Sequence, residues 1–388
     1  MHHTRDILSL RSISTGMRSL LLPLVLMLGV PGLPAQTARL EAIPQPAPSA
    51  IPKRKAHTNV TMDATKGWVD TGIPLVAGDT LTLKADGSLT LANGQVITAD
   101  GKEHFWRDLL RQYPLPTAPT GALIGRIGEN EAAWPFSIGA DATVAVRSTG
   151  TLFLRANLSE GMPATGSYKV SITITTAPTA NAAVLPTDLS QLLQPNLFDT
   201  LPRRDDDGHG NLGDAVNLAL IGTEQQIQDA FTHSGWFTVD ADRNTALLHG
   251  LLATLAKEPY REVPMSTLYL LSRPQDLSFA RGDTLRVAAE RHHLRLWKTT
   301  QTINGQPLWI GSATYDNGFA RDSRNGGVTH SIAPQIDTER DFLRDSLTSA
   351  GAVAAGAYVT PVDPIREATT ATGASFHTDG RILVMLLR

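Results

Sequence analysis

The pair Asn304-Gly305 constrains this chain more than any other two residues. A two-residue type I′ turn needs positive φ at both central positions, and asparagine followed by glycine accepts this most readily. With the turn placed there, Ile303 faces Gln306. Counting outward sets Trp297 opposite Ser312, Arg295 opposite Thr314 and His293 opposite Asp316. Leu294, Leu296, Ala313 and Tyr315 collect on the other side. Side chains alternate faces along a strand, so a slip by one residue would mix the two sets. The stretch is therefore an antiparallel ribbon with one apolar and one polar face.

The polar face gathers Arg291, His293, Arg295 and Asp316. A carboxylate beside an imidazole fixes its tautomer and favours its charged form, and two guanidinium groups add an anion-binding fork. Such a group has the chemistry for acid–base work on a phosphate or carboxylate. The plainer reading, which the sequence favours, is the solvated side of an ordinary antiparallel sheet. His292 falls on the Leu294/Leu296 side, where a hydrogen-bonded core histidine is expected, and Trp297 reads as core cover. His330, with His293 and either Asp316 or Asp337, has donor types that suit zinc or iron. No metal-ligand spacing accompanies them, so no metal is assigned, and Asp337 reads as a helix N-cap. The run "RRDDDGHGNLGD" (203–214) has consecutive aspartates where calcium loops alternate them, and reads as a loop leading into a strand.

Elsewhere two stretches rich in proline and alanine, 36–57 and 176–200, read as tether and linker. Between them "TLTLKA", "TVAVRS", "TLFLRANL" and "SYKVSITI" alternate apolar and polar residues between turns, which predicts an all-β sandwich over 58–175. Only 103–113 in that block has a helical look. Residues 201–388 mix periods. Thr223 caps a helix closed by Gly235, further helices are expected over 243–256 and 337–351, and a final strand pair turns at Asp379-Gly380. With antiparallel hairpins between the helices, this block is expected to be α+β.

The N-terminus carries Arg5, Arg11 and Arg18 before the apolar run 20–30 and the small residues "GLPAQT". That order predicts a secretory signal over 1–35, with Met17 an alternative start, and an exported, periplasmic or envelope protein. Membrane proximity is expected through this segment alone. A net charge of −3 argues against nucleic acid as partner, because a duplex binder needs a dense basic face. With no cysteine, disulfides, thiolate metal sites and a cysteine nucleophile are excluded. No nucleotide-binding or serine-hydrolase fingerprint is present.

Five segments in order, "GDAVNLALIG", "PMSTLYLLSRPQDLSF", "ERHHLRLW", "PLWIGSATYD" and "THSIAPQIDTERDFL", resemble the LssY-like C-terminal domain family over about 205–350. The resemblance implies a cell-envelope setting and no particular reaction. "GALIGRIGE", "TLFLRANLSEG" and "GSYKVSI" are similar to strands of the LecA-type bacterial galactose-binding lectins. That likeness implies a lectin-like sandwich. In the matching loop Asn157 stands for one calcium ligand, but Pro163 and Ala164 replace the paired asparagines, so no cofactor is implied.

The expectation is thus a lectin-like sandwich followed by an LssY-like α+β domain, binding an envelope glycan or protein partner. Trp134 and Asn157 are the candidate ligand contacts of the first block. The alternative is a hydrolase or phosphoryl-handling enzyme working through Arg291, His293, Arg295 and Asp316, with His330 near them.

Overall fold

A computed structural model describes residues 37–44, 54–105, 108, 111–176, 188–239, 265–282 and 290–388. The signal-like segment, residues 177–187 of the 176–200 linker and the expected 243–256 helix lie outside these residues, as does part of the 103–113 stretch. The chain is mostly β, and the described residues include two α-helices, Glu224–His233 and Ile336–Ser349. No helix among the described residues is long and apolar enough to cross a membrane.

In the first block, a five-stranded sheet (His57–Asp63, Ala164–Thr175, Thr80–Leu91, Val96–Ile97 and Asp141–Ala145) accompanies a four-stranded one. The latter is formed by Val69–Leu75, Gly150–Ala156, Leu123–Ile127 and Phe136–Ser137. The alternating strands predicted there are present. Their inward residues, among them Leu81, Leu83, Tyr168 and Ile172 from one sheet and Leu75, Leu123, Leu152 and Leu154 from the other, share one apolar cluster.

A nine-stranded sheet dominates the second block. Its order is Arg39–Ile43, Val353–Thr360, Ile382–Leu387, Leu218–Ile221, Gln306–Arg321, Glu290–Ile303, Leu277–Arg281 and Phe237–Thr238, with Val328–Ile332 also pairing with Gln306–Arg321. Leu218–Ile221 runs parallel to Ile382–Leu387, whereas the long hairpin Glu290–Ile303/Gln306–Arg321 is antiparallel. Both helices cover one face, where Ile227, Phe231, Leu343 and Leu347 meet Leu294, Leu296, Trp309 and Leu383. The first helix starts as its sequence predicts. Thr223 Oγ1 accepts from Gln226 N at 3.2 Å, and Gln226 Oε1 accepts from Thr223 N at 2.7 Å, which is a capping box. The opposite face is apolar at Trp297, Ile310, Ala219 and Val384.

Three expectations are corrected here. The supposed tether contributes a strand, because Arg39–Ile43 pairs antiparallel with Val353–Thr360 at the sheet edge. The final strands do not form a hairpin at Asp379-Gly380: Ser375–His377 pairs with Glu367–Thr369, and Ile382–Leu387 joins the large sheet. Asp337 is not the N-cap. Gln335 holds that position, and Asp337 sits in the first turn.

Candidate functional site

The Asn304-Gly305 turn forms as predicted, with φ of 49° and 76° and Ile303 facing Gln306. The ladder then slips between Lys298 and Thr302, so that beyond it Trp297 faces Ile310, Arg295 faces Ser312, His293 faces Thr314 and Arg291 faces Asp316. Each pair is displaced by an even number of residues from its predicted place. The two faces therefore keep their composition while every partner on the far side of the irregularity changes.

The larger correction concerns water. Arg291, His293, Arg295, Ser312, Thr314 and Asp316 are all buried. They continue the face that begins with Trp297 and Ile310, and four of them, Arg291, His293, Arg295 and Asp316, floor a pocket of about 270 Å³. Its walls come from Phe319 farther along the hairpin's second strand, from Val328 and His330 on the strand that follows, and from Gly213, Asp214, Met265, Ser266 and the segment 370–372, which are remote from the hairpin in sequence. A solvated face is not what forms.

Asp316 is the centre of the group. Its Oδ2 accepts from Arg291 Nε at 3.0 Å, and His293 Nε2 lies 2.9 Å from its Oδ1. His330 Nδ1 stands 3.9 Å from Oδ2, with its ring stacked on Phe319. Burial pushes the Asp316 carboxyl up, but His293, Arg291 and His330 together outweigh it and hold it well below the usual carboxylate range. Thr314 Oγ1 is 3.2 Å from the same His293 nitrogen. His293 Nδ1 is buried and, among the described residues, has no hydrogen-bond partner.

A pair of carboxyls adjoins this group. Strands Arg204–Asp206 and Leu212–Ala215 bring Asp205 beside Asp214. Asp205 Oδ1 accepts from Asp214 N at 2.6 Å, and its Oδ2 accepts from Ser312 Oγ at 3.0 Å. Burial and the nearby Asp214 push the Asp205 carboxyl well above its ordinary value. Gly213 makes this approach possible, since a Cβ there would lie 2.2 Å from Asp205 Oδ1. Asp214 lines the pocket with Oδ2 3.6 Å from Arg295 NH1, and Arg295 Nε donates to Ser266 O at 3.2 Å.

The match to known proteins falls on the residues that build this site. Residues 198–382 match the LssY C-terminus family model. No curated protein matches the chain. Among solved structures, a chain titled "EclA N-terminal domain; PllA-like lectin" aligns at 20% identity over 30% of this chain and 95% of its own. Its TM-score of 0.24 is too low to carry any inference.

The structure brings together all five candidates of the LssY-like region, Arg291, His293, Arg295, Asp316 and His330. Asp337 lies elsewhere, engaged by Arg340, Thr378 Oγ1 and Asp379 N. Among the described residues no three His, Asp or Glu side chains are arranged to hold a metal ion. Trp134 is half-buried, its ring 4.8 Å from the Arg281 guanidinium and against Gly235. Asn157 is buried, accepting from Leu115 N and donating to Leu115 O and Ala118 O, and so holds the 115–118 loop. His292 is hydrogen-bonded to Glu339 at 2.6 Å and stacked on Phe342 on the helix side, and Trp297 is core, both as predicted.

Sequence reasoning missed Asp205, Asp214, Ser312 and Thr314. The first two were hidden in the aspartate run, where the period of a strand puts Asp205 inward and Asp206 outward. Asp207, the third of the run, instead closes its own loop by accepting from His209 N and Asn211 Nδ2.

Proposed function

We propose that the LssY-like region binds a small anionic ligand, bearing phosphate or carboxylate, in the pocket over the Glu290–Ile303/Gln306–Arg321 hairpin. One observation carries this: two arginines and a histidine are buried on the floor of an open pocket, where a sheet face ordinarily has either apolar groups or water. Buried guanidinium groups are retained where planar oxyanions are recognised. Within the described residues Arg295 makes one hydrogen bond, from Nε, and its NH1 stands 3.6 Å from Asp214 Oδ2, which leaves NH2 to meet a ligand.

The test is calorimetric titration of the full chain with inorganic phosphate, sulfate, small carboxylates and neutral monosaccharides, repeated with Arg295→Gln. Anions bind and the substitution weakens them at least tenfold, the ordinary worth of a charge-assisted pair. Binding of a neutral sugar alone, indifferent to Arg295, would overturn the anion assignment in favour of a glycan.

A second reading rests on the 2.9 Å contact of His293 with Asp316. A carboxylate that orients an imidazole is the arrangement of a general base, so hydrolysis or phosphoryl handling is the corresponding activity. Turnover of an aryl phosphate that survives His293→Gln undiminished would exclude it.

We further infer a two-domain layout, with residues 58–175 as a lectin-like sandwich and 201–388 built on the large sheet. Their separate apolar clusters support it. The signal-like N-terminus supports export to the envelope, where a glycan or protein is the proposed partner of the first domain.

A further inference from the structure

Asp316 is ionised, and a carboxylate only accepts hydrogen bonds. The 2.9 Å contact to its Oδ1 therefore places a hydrogen on His293 Nε2. In a neutral imidazole the other nitrogen, Nδ1, then carries a lone pair and no hydrogen. Among the described residues that nitrogen has no partner, it is buried on a side chain only 6% exposed, and its residue lines the pocket. Leaving a buried acceptor unmatched forfeits its hydration with nothing in return, so its retention calls for an explanation.

The charges around it supply one. On its own strand stand Arg291 and Arg295, and from the neighbouring strand Asp316 and Thr314. Asp214, on Leu212–Ala215, and His330, on Val328–Ile332, also line the pocket, while the facing residue on Leu277–Arg281 is the uncharged Ala280. Each arginine already faces a carboxylate, Arg291 with Asp316 at 3.0 Å and Arg295 with Asp214 at 3.6 Å. An entering oxyanion brings charge that these pairs have largely balanced, and buried charge must be compensated. A lone pair at Nδ1 would repel it, and a proton there would turn the same nitrogen into a donor.

We propose that oxyanion binding in this pocket is proton-coupled: His293 takes up a proton at Nδ1 as the anion enters, and the new N–H donates to an anion oxygen. This rests on the anion reading above and adds to it the group that recognises the ligand and the proton that accompanies it. Asp316 is then a positioning residue, fixing the tautomer that leaves Nδ1 open, and Arg295 supplies permanent charge.

The experiment titrates the full chain with inorganic sulfate, which has no proton to exchange near neutrality, by calorimetry in two buffers of different ionisation enthalpy. At about pH 8, where an ordinary imidazole is neutral, about one proton is taken up per sulfate. Affinity falls about tenfold per pH unit above that point. In His293→Gln uptake vanishes and affinity becomes independent of pH. Nitrogen-15 NMR of the unsubstituted chain gives a check that needs no variant: sulfate moves His293 Nδ1 from the unprotonated to the protonated shift range. Sulfate binding with no uptake and no Nδ1 shift overturns the proton coupling and leaves the anion reading intact. Uptake that persists in His293→Gln assigns the proton elsewhere and overturns it too. No sulfate binding at any pH between about 6 and about 9 overturns both.

Discussion

Two buried carboxyls about the same pocket respond to pH in opposite directions. Asp316 is held below the ordinary carboxylate range, so the stability it contributes is present above the unfolded value and is lost as pH falls through the folded one. Asp205 is held above that range. Its contribution is complete below the unfolded value and is lost as pH rises through the folded one. Asparagine should therefore have contrary effects at the two positions. Asp316→Asn removes the carboxylate shared by Arg291 and His293, and breaking a buried pair costs about 3–5 kcal/mol near neutral pH. The deficit shrinks toward about pH 4 and below, where the unsubstituted carboxyl loses its own advantage. Asp205→Asn keeps the acceptor for Asp214 N and removes a group that burial disfavours in its ionised form. Its stability should stay within about 1 kcal/mol of the parent at acid pH and gain on it as pH rises. Urea unfolding of the three proteins across pH decides both. If Asp205→Asn proves the more damaging at neutral pH, the assignment of charge in this pocket is wrong.

At the scale of the element, the edge strand Arg39–Ile43 carries the clearest expectation. Leu40 and Ile43 pack against clusters on the two faces of the large sheet, and all five residues are in register with 356–360. Removing everything before residue 45 uncovers the Val353–Thr360 edge, a template for pairing with another chain. The shortened protein should melt several degrees lower and self-associate in light scattering, and a synthetic 37–45 peptide should reverse both. An unchanged melting temperature would mean that the strand adds nothing. This strand was illegible in the sequence because "RLEAI" lies among prolines and its partner is more than three hundred residues away. The hairpin was legible because Asn304-Gly305 specifies its own turn locally, and the residues on each face followed. The slip beyond Lys298 left no local mark, so the partners of His293 and Asp316 were misassigned even though the two side chains do meet. Burial of the face was hidden for the same reason as the strand. Its cover is assembled from residues near 213, 266, 330 and 371, and alternation shows which residues share a face but not what lies over it.

Across the whole molecule, residues 37–388 form one compact unit even though two sets of apolar clusters divide it. Arg281 is the principal fastening. Its NH1 donates to Ala132 O at 2.8 Å, Ser234 O at 3.1 Å and Ser346 Oγ at 2.9 Å, with the Trp134 ring against the guanidinium. Burial lowers this guanidinium to about 10 against the opposing charge of Glu339; among the described residues no carboxylate hydrogen-bonds it, and two carbonyls and two aromatic faces surround it. Asn130 Nδ2 donates to Asp345 at 2.8 Å nearby. Gly235 closes the junction at φ 79°, where a Cβ would lie 2.1 Å from the Trp134 ring. Gly235→Ala is therefore both strained in backbone and blocked by Trp134, which should cost more than about 1 kcal/mol. Because each block has its own core, the loss should fall on their coupling. Calorimetry should show one unfolding transition in the parent and two in the variant, and a single lowered transition would show that the blocks are not independently stable. Arg281 is in register with His292, so this junction lies on the helix side of the sheet, opposite the pocket floor. Sulfate affinity should accordingly be unchanged in Gly235→Ala below its first transition, which separates what holds the blocks together from what the pocket binds.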